Sequence, residues 1–189
     1  MGKQFPHIDL DQQAFIERQK IFFVATAAPS GRVNVSPKGM GALKVLGPND
    51  VAYLDSTGSG NETRAHLLAS PDRRLTIMVC AFEGPPMILR LYGKGQTILR
   101  GSSEYAALLH HFDDLPGARK IVRLAVEMVQ VSCGMAVPFF DYKQERTALS
   151  RYWIENGLNK LRAYWGAKNM KSIDGLPTAL TPETIVPGE

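Results

Sequence analysis

The sequence predicts a mainly β, α+β fold: an antiparallel β-barrel of six strands with helices at its periphery. Three observations carry that prediction. Short runs rich in β-branched and aromatic residues recur from Ile21 onward, most of them bounded by Gly, Pro, Asn or Asp. The early runs are joined by turns of a few residues, too short for the crossover helix that a parallel sheet requires. Helical composition falls between the fourth and fifth runs and towards the ends of the chain.

Taken in order, DLDQQAFIERQK (9–20) opens with acidic and amide side chains, as helix N-termini do. Leu10 and Ala14 share a face that Phe15 widens and Ile16 leaves. IFFVATA (21–27) is a strand that stops at the turn PSGR (29–32), and VNVS (33–36) alternates apolar and polar residues as a half-buried strand does. ALKVLG and DVAYLD flank PN as a second hairpin. NETRAHLLAS (61–70) has the composition of a short helix capped by Asn61 or a neighbour. RRLTIMVCAF (73–82) and MILRLYGKGQTILR (87–100) are strands on either side of EGPP. SSEYAALLHHF is helical, whereas the β-branched content of KIVRLAVEMVQVSCG favours a strand. Helical spacing returns in KQERTALSRYWIENGLNKLRAYWGAKN, and SIDGLPTALTPE reads as loop.

The 189 residues fit one domain with its own core, and 44% hydrophobic against 21% charged residues is ordinary for a soluble globular protein. Lysine plus arginine (22) exceeds aspartate plus glutamate (18) by a mild, dispersed margin. That balance points away from nucleic acid and remains compatible with a small anionic ligand. Cys80 and Cys133 sit in apolar stretches with no CxxC and no Cys/His cluster, so no metal site is expected and both read as buried free thiols. MGKQFPHIDLDQQ lacks the apolar core of a signal peptide, and no apolar run is long enough for a bilayer span. A cytoplasmic protein without membrane contact is expected.

The stretch that bears on function is DSTGSGNETRAH (55–66). It lacks the lysine of a Walker A loop, and its GxGxxT is an incomplete dinucleotide fingerprint without the βαβ context. It does follow a strand and open a helix, where free backbone N–H groups can receive an anion. Ser56, Thr57, Ser59 and Thr63 add hydroxyls, and Arg64 adds a fork suited to phosphate oxygens. Lys38, just past a strand carrying Asn34 and Ser36, could line the same cleft.

The segments GRVNVSPKG (31–39), VAYLDSTGSGNETRAHLLASP (51–71), RLTIMVCAFEGPPMILRLYGKG (74–95) and KNMKSIDGLP (168–177) together resemble the pyridoxamine 5′-phosphate oxidase-like family of FMN-binding split barrels. The resemblance is closest to the oxidase-related branch rather than to the true oxidase. It implies a six-stranded antiparallel split β-barrel in one FMN-binding domain spanning 1–189, with 145–189 as a helical extension. It further implies a homodimer with FMN at the subunit interface. By position, Lys38, Thr63 and Arg64 are expected near the flavin phosphate. Asn34, Val35 and Ser36 are expected beside the isoalloxazine ring, and Asp55, Ser56 and Thr57 on the ribityl side. Asn61 is expected to shape the turn, and Arg90 is expected either in a structural ion pair or at the cofactor.

Two departures separate this chain from the true oxidase. The resemblance implies a serine-arginine-lysine run at the helix start, where this chain has Glu62-Thr63-Arg64. The tail also lacks the arginine and histidine segment that would grip a pyridoxamine phosphate. The leading expectation is therefore an FMN-dependent oxidoreductase acting on an unidentified small molecule, with oxygen or a nicotinamide as electron partner. The alternative is a flavin- or haem-binding protein with little turnover, for storage or sensing. A nucleic-acid-binding surface is a third, disfavoured class. His66, His110 and His111 are the acid–base candidates, and no residue is singled out as catalytic.

Overall fold

Side-chain alternation builds the sheet. In β2 (Phe22–Thr26), Phe22, Val24 and Thr26 are buried while Phe23 and Ala25 are half-buried, the period of two that a one-sided core demands. The computed structural model describes residues 2–180, and within them the remaining strands are β1 (Lys3–Phe5), β3 (Asn34–Lys38), β4 (Leu43–Gly47), β5 (Asp50–Ser56), β6 (Arg74–Cys80), β7 (Ile88–Leu99) and β8 (Ala118–Ser132). They form one antiparallel sheet in the order β3-β2-β6-β7-β8-β5-β4, with β1 added to β8. β3 and β4 follow each other in sequence yet occupy opposite ends of that path. The barrel-like sheet is thus split between them, as the fold class predicts.

Among the described residues the strands number eight rather than six. Three-residue β1 is too short to show a period, and the 15-residue run after the third helix, favoured as a strand by its composition, pairs with β1, β5 and β7. Val24, Val51, Tyr53, Leu89, Leu91, Leu124 and Val129 form the main core inside the curled sheet.

α1 (Leu10–Arg18) begins with a reciprocal cap: Gln12 N donates to Asp9 Oδ1 at 2.8 Å, and Asp9 N donates to Gln12 Oε1 at 3.2 Å. Its buried face is Gln12, Phe15 and Ile16, an i, i+3, i+4 set, and not the expected Leu10–Ala14 face. Leu10 is 84% exposed, because the larger Phe15 and Ile16 enter the main core and Leu10 lies off their face. α2 (Glu62–Ala69) lies between β5 and β6, and α3 (Ser103–Leu109) between β7 and β8. α4 (Ala148–Tyr164) bends at Gly157, whose φ of 67° suits glycine, and runs into a π-helical turn, Trp165–Asn169. Trp153, Leu161, Trp165 and Leu180 make a separate small core that seats this C-terminal segment. Residues 181–189 of the expected helical extension lie outside the described residues.

Both cysteines are free. Cys80 is buried as expected, but Cys133 is exposed because the chain has already left β8 there. Arg90 donates to Ser132 Oγ at 2.9 Å, a contact between neighbouring strands β7 and β8. His110 and His111 are exposed at the end of α3, their rings 3.9 Å apart. Among the described residues, no helix is long and apolar enough to cross a membrane.

Candidate functional site

β3, the end of β5, the turn after it, the start of α2 and the start of β8 converge on a cleft of about 750 Å3. Alternation along β3 directs Asn34, Ser36 and Lys38 to one side, and all three line this cleft. Its floor is organised by one carboxylate. Asp55 Oδ2 accepts from Arg119 Nε at 2.7 Å and from Lys120 Nζ at 2.6 Å, and Oδ1 accepts from Lys38 Nζ at 3.0 Å. Asp55 is 3% exposed, Lys120 1% and Arg119 4%, so three cations surround a single anion in a water-poor setting. Lys38 alone of the three is partly open to solvent.

Burial opposes ionisation of Asp55, but Arg119, Lys120 and Lys38 outweigh it and hold its carboxyl well below the usual range. Burial and the neighbouring Arg119 push Lys120 well below the usual lysine range, against the pull of Asp55. Such a cluster is a source of positive potential whose geometry is set before any ligand arrives. Hydrogen bonds complete it: Arg119 donates to Asn169 Oδ1 at 2.8 Å and to the Gly60 carbonyl at 2.8 Å, and Lys120 donates to Asn61 Oδ1 at 2.6 Å.

Asn61 is the N-cap of α2 by position, yet its side chain makes no cap bond because Lys120 and the Asn169 carbonyl engage it. The first-turn N–H groups of α2 are therefore not claimed by a capping side chain. Thr63, on that first turn, and Asn34 on β3 are within hydrogen-bond reach at 3.4 Å. Asn34 Nδ2 also donates to Thr26 Oγ1 at 3.2 Å, Ser36 Oγ donates to Asn34 Oδ1 at 2.9 Å, and Thr26 Oγ1 lies 3.1 Å from His66 Nδ1.

Of the ten residues expected at the cofactor, Asn34, Ser36, Lys38, Asp55, Ser56, Asn61 and Thr63 line the cleft together, as do Ser59 and His66. Three of the ten lie elsewhere. Val35 is 61% exposed on the other side of β3. Thr57 is fully buried, its hydroxyl donating to the Gly117 carbonyl at 2.7 Å and accepting from Trp165 Nε1 at 2.8 Å. Arg64 does not face the cleft. It turns to another side of α2, where Nε donates to the Thr178 carbonyl and one terminal nitrogen donates to Thr97 Oγ1, both at 2.5 Å. One residue after Thr63, a helix position is rotated by about 100°, which separates the two side chains.

Sequence reasoning missed Arg119, Lys120, Lys168 and Lys171 on the cleft wall. A signal existed for the first two: consecutive cations directly precede the apolar Ile121 and Val122 on one strand, where a buried cation requires a partner, and Lys120 sits directly across from Asp55 in the β5–β8 register. Lys168 and Lys171 reach the cleft from the segment after α4. That segment is tied down where Asp174 accepts from Arg32, and where Ile173 N donates to Glu62 at 3.1 Å.

The sequence profile described as pyridoxamine 5′-phosphate oxidase matches residues 8–133. The chain belongs to the pyridoxamine 5′-phosphate oxidase family. A relative in Aspergillus flavus, the pyridoxamine 5′-phosphate oxidase family protein ustO, is 38% identical over 180 residues, covering 85% of this chain and 71% of that one. Two solved structures share the fold. HupZ of Group A Streptococcus has a TM-score of 0.54 at 19% identity, over 66% of this chain and 99% of that one. A candidate pyridoxamine 5′-phosphate oxidase from Lactobacillus delbrueckii has a TM-score of 0.52 at 15% identity, over 66% and 94%. In this family member the family segment supplies β3, β5, α2 and the Arg119–Lys120 pair, whereas Lys168, Lys171 and Ile173 come from beyond it.

Proposed function

We propose that this chain holds FMN in the cleft and acts as an oxidoreductase on a small molecule. The observation that supports this most directly is the donor set of the cleft. An excess of buried positive charge, hydroxyls and an uncapped helix start face one space, in a chain of the pyridoxamine 5′-phosphate oxidase family. That chemistry fits a phosphate, and about 750 Å3 is within the range of small-molecule and cofactor sites.

In this reading Lys38, Thr63 and the first-turn backbone of α2 hold the phosphate. Asn34 and Ser36 lie beside the isoalloxazine ring, and Ser56 lies on the ribityl side. Asp55 is saturated by three cations, so its part is to fix their positions rather than to touch the cofactor. When bound, FMN supplies the hydride-accepting chemistry, and the protein supplies position and electrostatics. Lys168, Lys171, Ser172 and Ile173 wall one side of the cleft. The same proposal includes a homodimer with FMN at the interface. Val33 and Val35, exposed beside the open edge strand β3, offer an apolar surface to a second copy.

One observation favours the second reading, a flavin- or haem-binding protein with little turnover. The one carboxylate on the cleft floor, Asp55, is held ionised by three cations, so it is a poor proton acceptor.

The test is the visible spectrum of the purified chain before and after FMN is added. Bound oxidised flavin is expected, and a colourless protein that takes up no FMN overturns the proposal. Anaerobic bleaching by reduced nicotinamide or pyridoxamine phosphate then separates enzyme from binder, and size measurement by light scattering tests the dimer.

A further inference from the structure

Among the described residues, two buried side-chain polar atoms have no hydrogen-bond partner: the Tyr53 hydroxyl and His66 Nε2. Of these residues, only His66 lines the cleft. The ring is 2% exposed, and its other nitrogen is occupied behind it by Thr26 on β2.

The hydrogen-bond chain favours one tautomer. Ser36 Oγ donates to Asn34 Oδ1, which leaves the Asn34 amide nitrogen as donor to Thr26 Oγ1. Thr26 Oγ1, accepting there, keeps its own hydroxyl proton available for His66 Nδ1 at 3.1 Å. With Nδ1 accepting, the neutral ring carries its proton on Nε2. The unpartnered atom is therefore a buried N–H donor, and burying a donor without an acceptor is unfavourable until one arrives.

Position indicates the kind of acceptor. His66 is the fifth residue of α2 and shares a face with Thr63, three residues before it, and both are cleft residues. Helical side chains tilt towards the N-terminus, so this ring leans to the same end whose backbone N–H groups favour an anion. The Asp174 carboxylate is already engaged by Arg32, through both its backbone N–H and its guanidinium.

We propose that His66 is a ligand-contacting residue whose Nε2–H donates to a phosphate oxygen of the bound molecule, beside Thr63 and the first turn of α2. The identity of the phosphate bearer as FMN rests on the reading given above; the phosphate contact itself does not.

Two measurements on the full chain test this. In the first, FMN and riboflavin are titrated against the wild type, His66→Ala and His66→Gln. The alanine variant is expected to weaken FMN by about tenfold while leaving riboflavin within about twofold, the scale of one lost hydrogen bond to a charged group. Glutamine, which can present an N–H near the Nε2 position, recovers most of the loss. In the second, inorganic phosphate is added to protein labelled with 15N-histidine, the His66 signal being assigned by its loss in His66→Gln. A saturable shift of the His66 Nε2 resonance is expected. An unchanged resonance in phosphate, equal FMN affinity in all three proteins, or an equal loss for both flavins overturns the proposal. If no flavin binds the wild type while phosphate still shifts His66, the flavin reading fails and the phosphate contact stands.

Discussion

Asp55 and Arg119 meet across neighbouring strands through a 2.7 Å contact between Oδ2 and Nε, with both side chains almost fully buried. A buried ion pair of this kind contributes little when complete but costs much when broken, because the survivor keeps its desolvation penalty. Here the survivors would be three cations. Asp55→Ala is expected to destabilise the fold by about 3–5 kcal/mol, measured by urea unfolding, or to prevent folding. Lys120→Met is expected to cost less, because Asp55 keeps two cations and a buried charge is removed.

The same residue fixes a pH dependence. The Asp55 carboxyl is held well below its usual value in the folded protein, chiefly because Arg119, Lys120 and Lys38 outweigh the opposing effect of burial. A depressed carboxylate contributes stability that is complete above its unfolded pKa of about 3.9 and is lost as pH falls through the folded value. Unfolding free energy measured across acid pH is therefore expected to fall below about pH 4, more steeply in the wild type than in Asp55→Asn. Equal slopes would remove Asp55 as the source.

Much of the fold was legible because period-two alternation and short turns are local signals. The α1 face was misread because its rotation is set by the tertiary packing of Phe15 and Ile16 against the sheet, which the local spacing does not reveal. At the site, β3 and the glycine-rich turn announce themselves through their polar side chains. Arg119 and Lys120 do not, since their significance lies in a strand pairing more than 60 residues distant from Asp55 in sequence. Arg64 was expected at the phosphate, but the structure places it away from the cleft. Its residue type suits phosphate, but its place on α2 points it at the C-terminal segment.

Arg64 therefore has a different expected phenotype from a phosphate ligand. It holds the Thr178 and Ala179 carbonyls and Thr97, so Arg64→Ala is expected to destabilise by about 1.5–3 kcal/mol. Faster amide exchange should be confined first to the residues around Thr178. The ratio of FMN to riboflavin affinity should stay unchanged; a selective loss of FMN would place Arg64 at the phosphate after all.

Lys38 is expected to behave oppositely. It is the partly exposed member of the Asp55 cluster and sits on the cleft wall, so its charge reaches a ligand. Lys38→Met should weaken FMN by about 1.5–3 kcal/mol, with a reduced salt dependence of binding and a smaller effect on stability than Asp55→Ala. Unchanged FMN affinity by fluorescence titration would count against the phosphate placement.

Gly117 tests how the segment beyond the family match is coupled to the cleft. Its φ of 81° disfavours any side chain, and a Cβ there would overlap the Trp153 indole. Its carbonyl accepts from both the N–H and the hydroxyl of Thr57, at 2.8 and 2.7 Å. Trp153 Nε1 donates to the Thr57 carbonyl at 3.2 Å and Trp165 Nε1 to its hydroxyl at 2.8 Å. Thr57 immediately precedes Gly58 at the cleft, so the two tryptophans hold the turn from behind. Gly117→Ala combines left-handed strain with overpacking and is expected to cost about 1–3 kcal/mol, with a shift in tryptophan fluorescence. FMN affinity should fall with it, because the turn that opens α2 loses its backing. Full FMN affinity in a destabilised Gly117→Ala protein would show that α4 and the π-helical turn stabilise the fold without shaping the site.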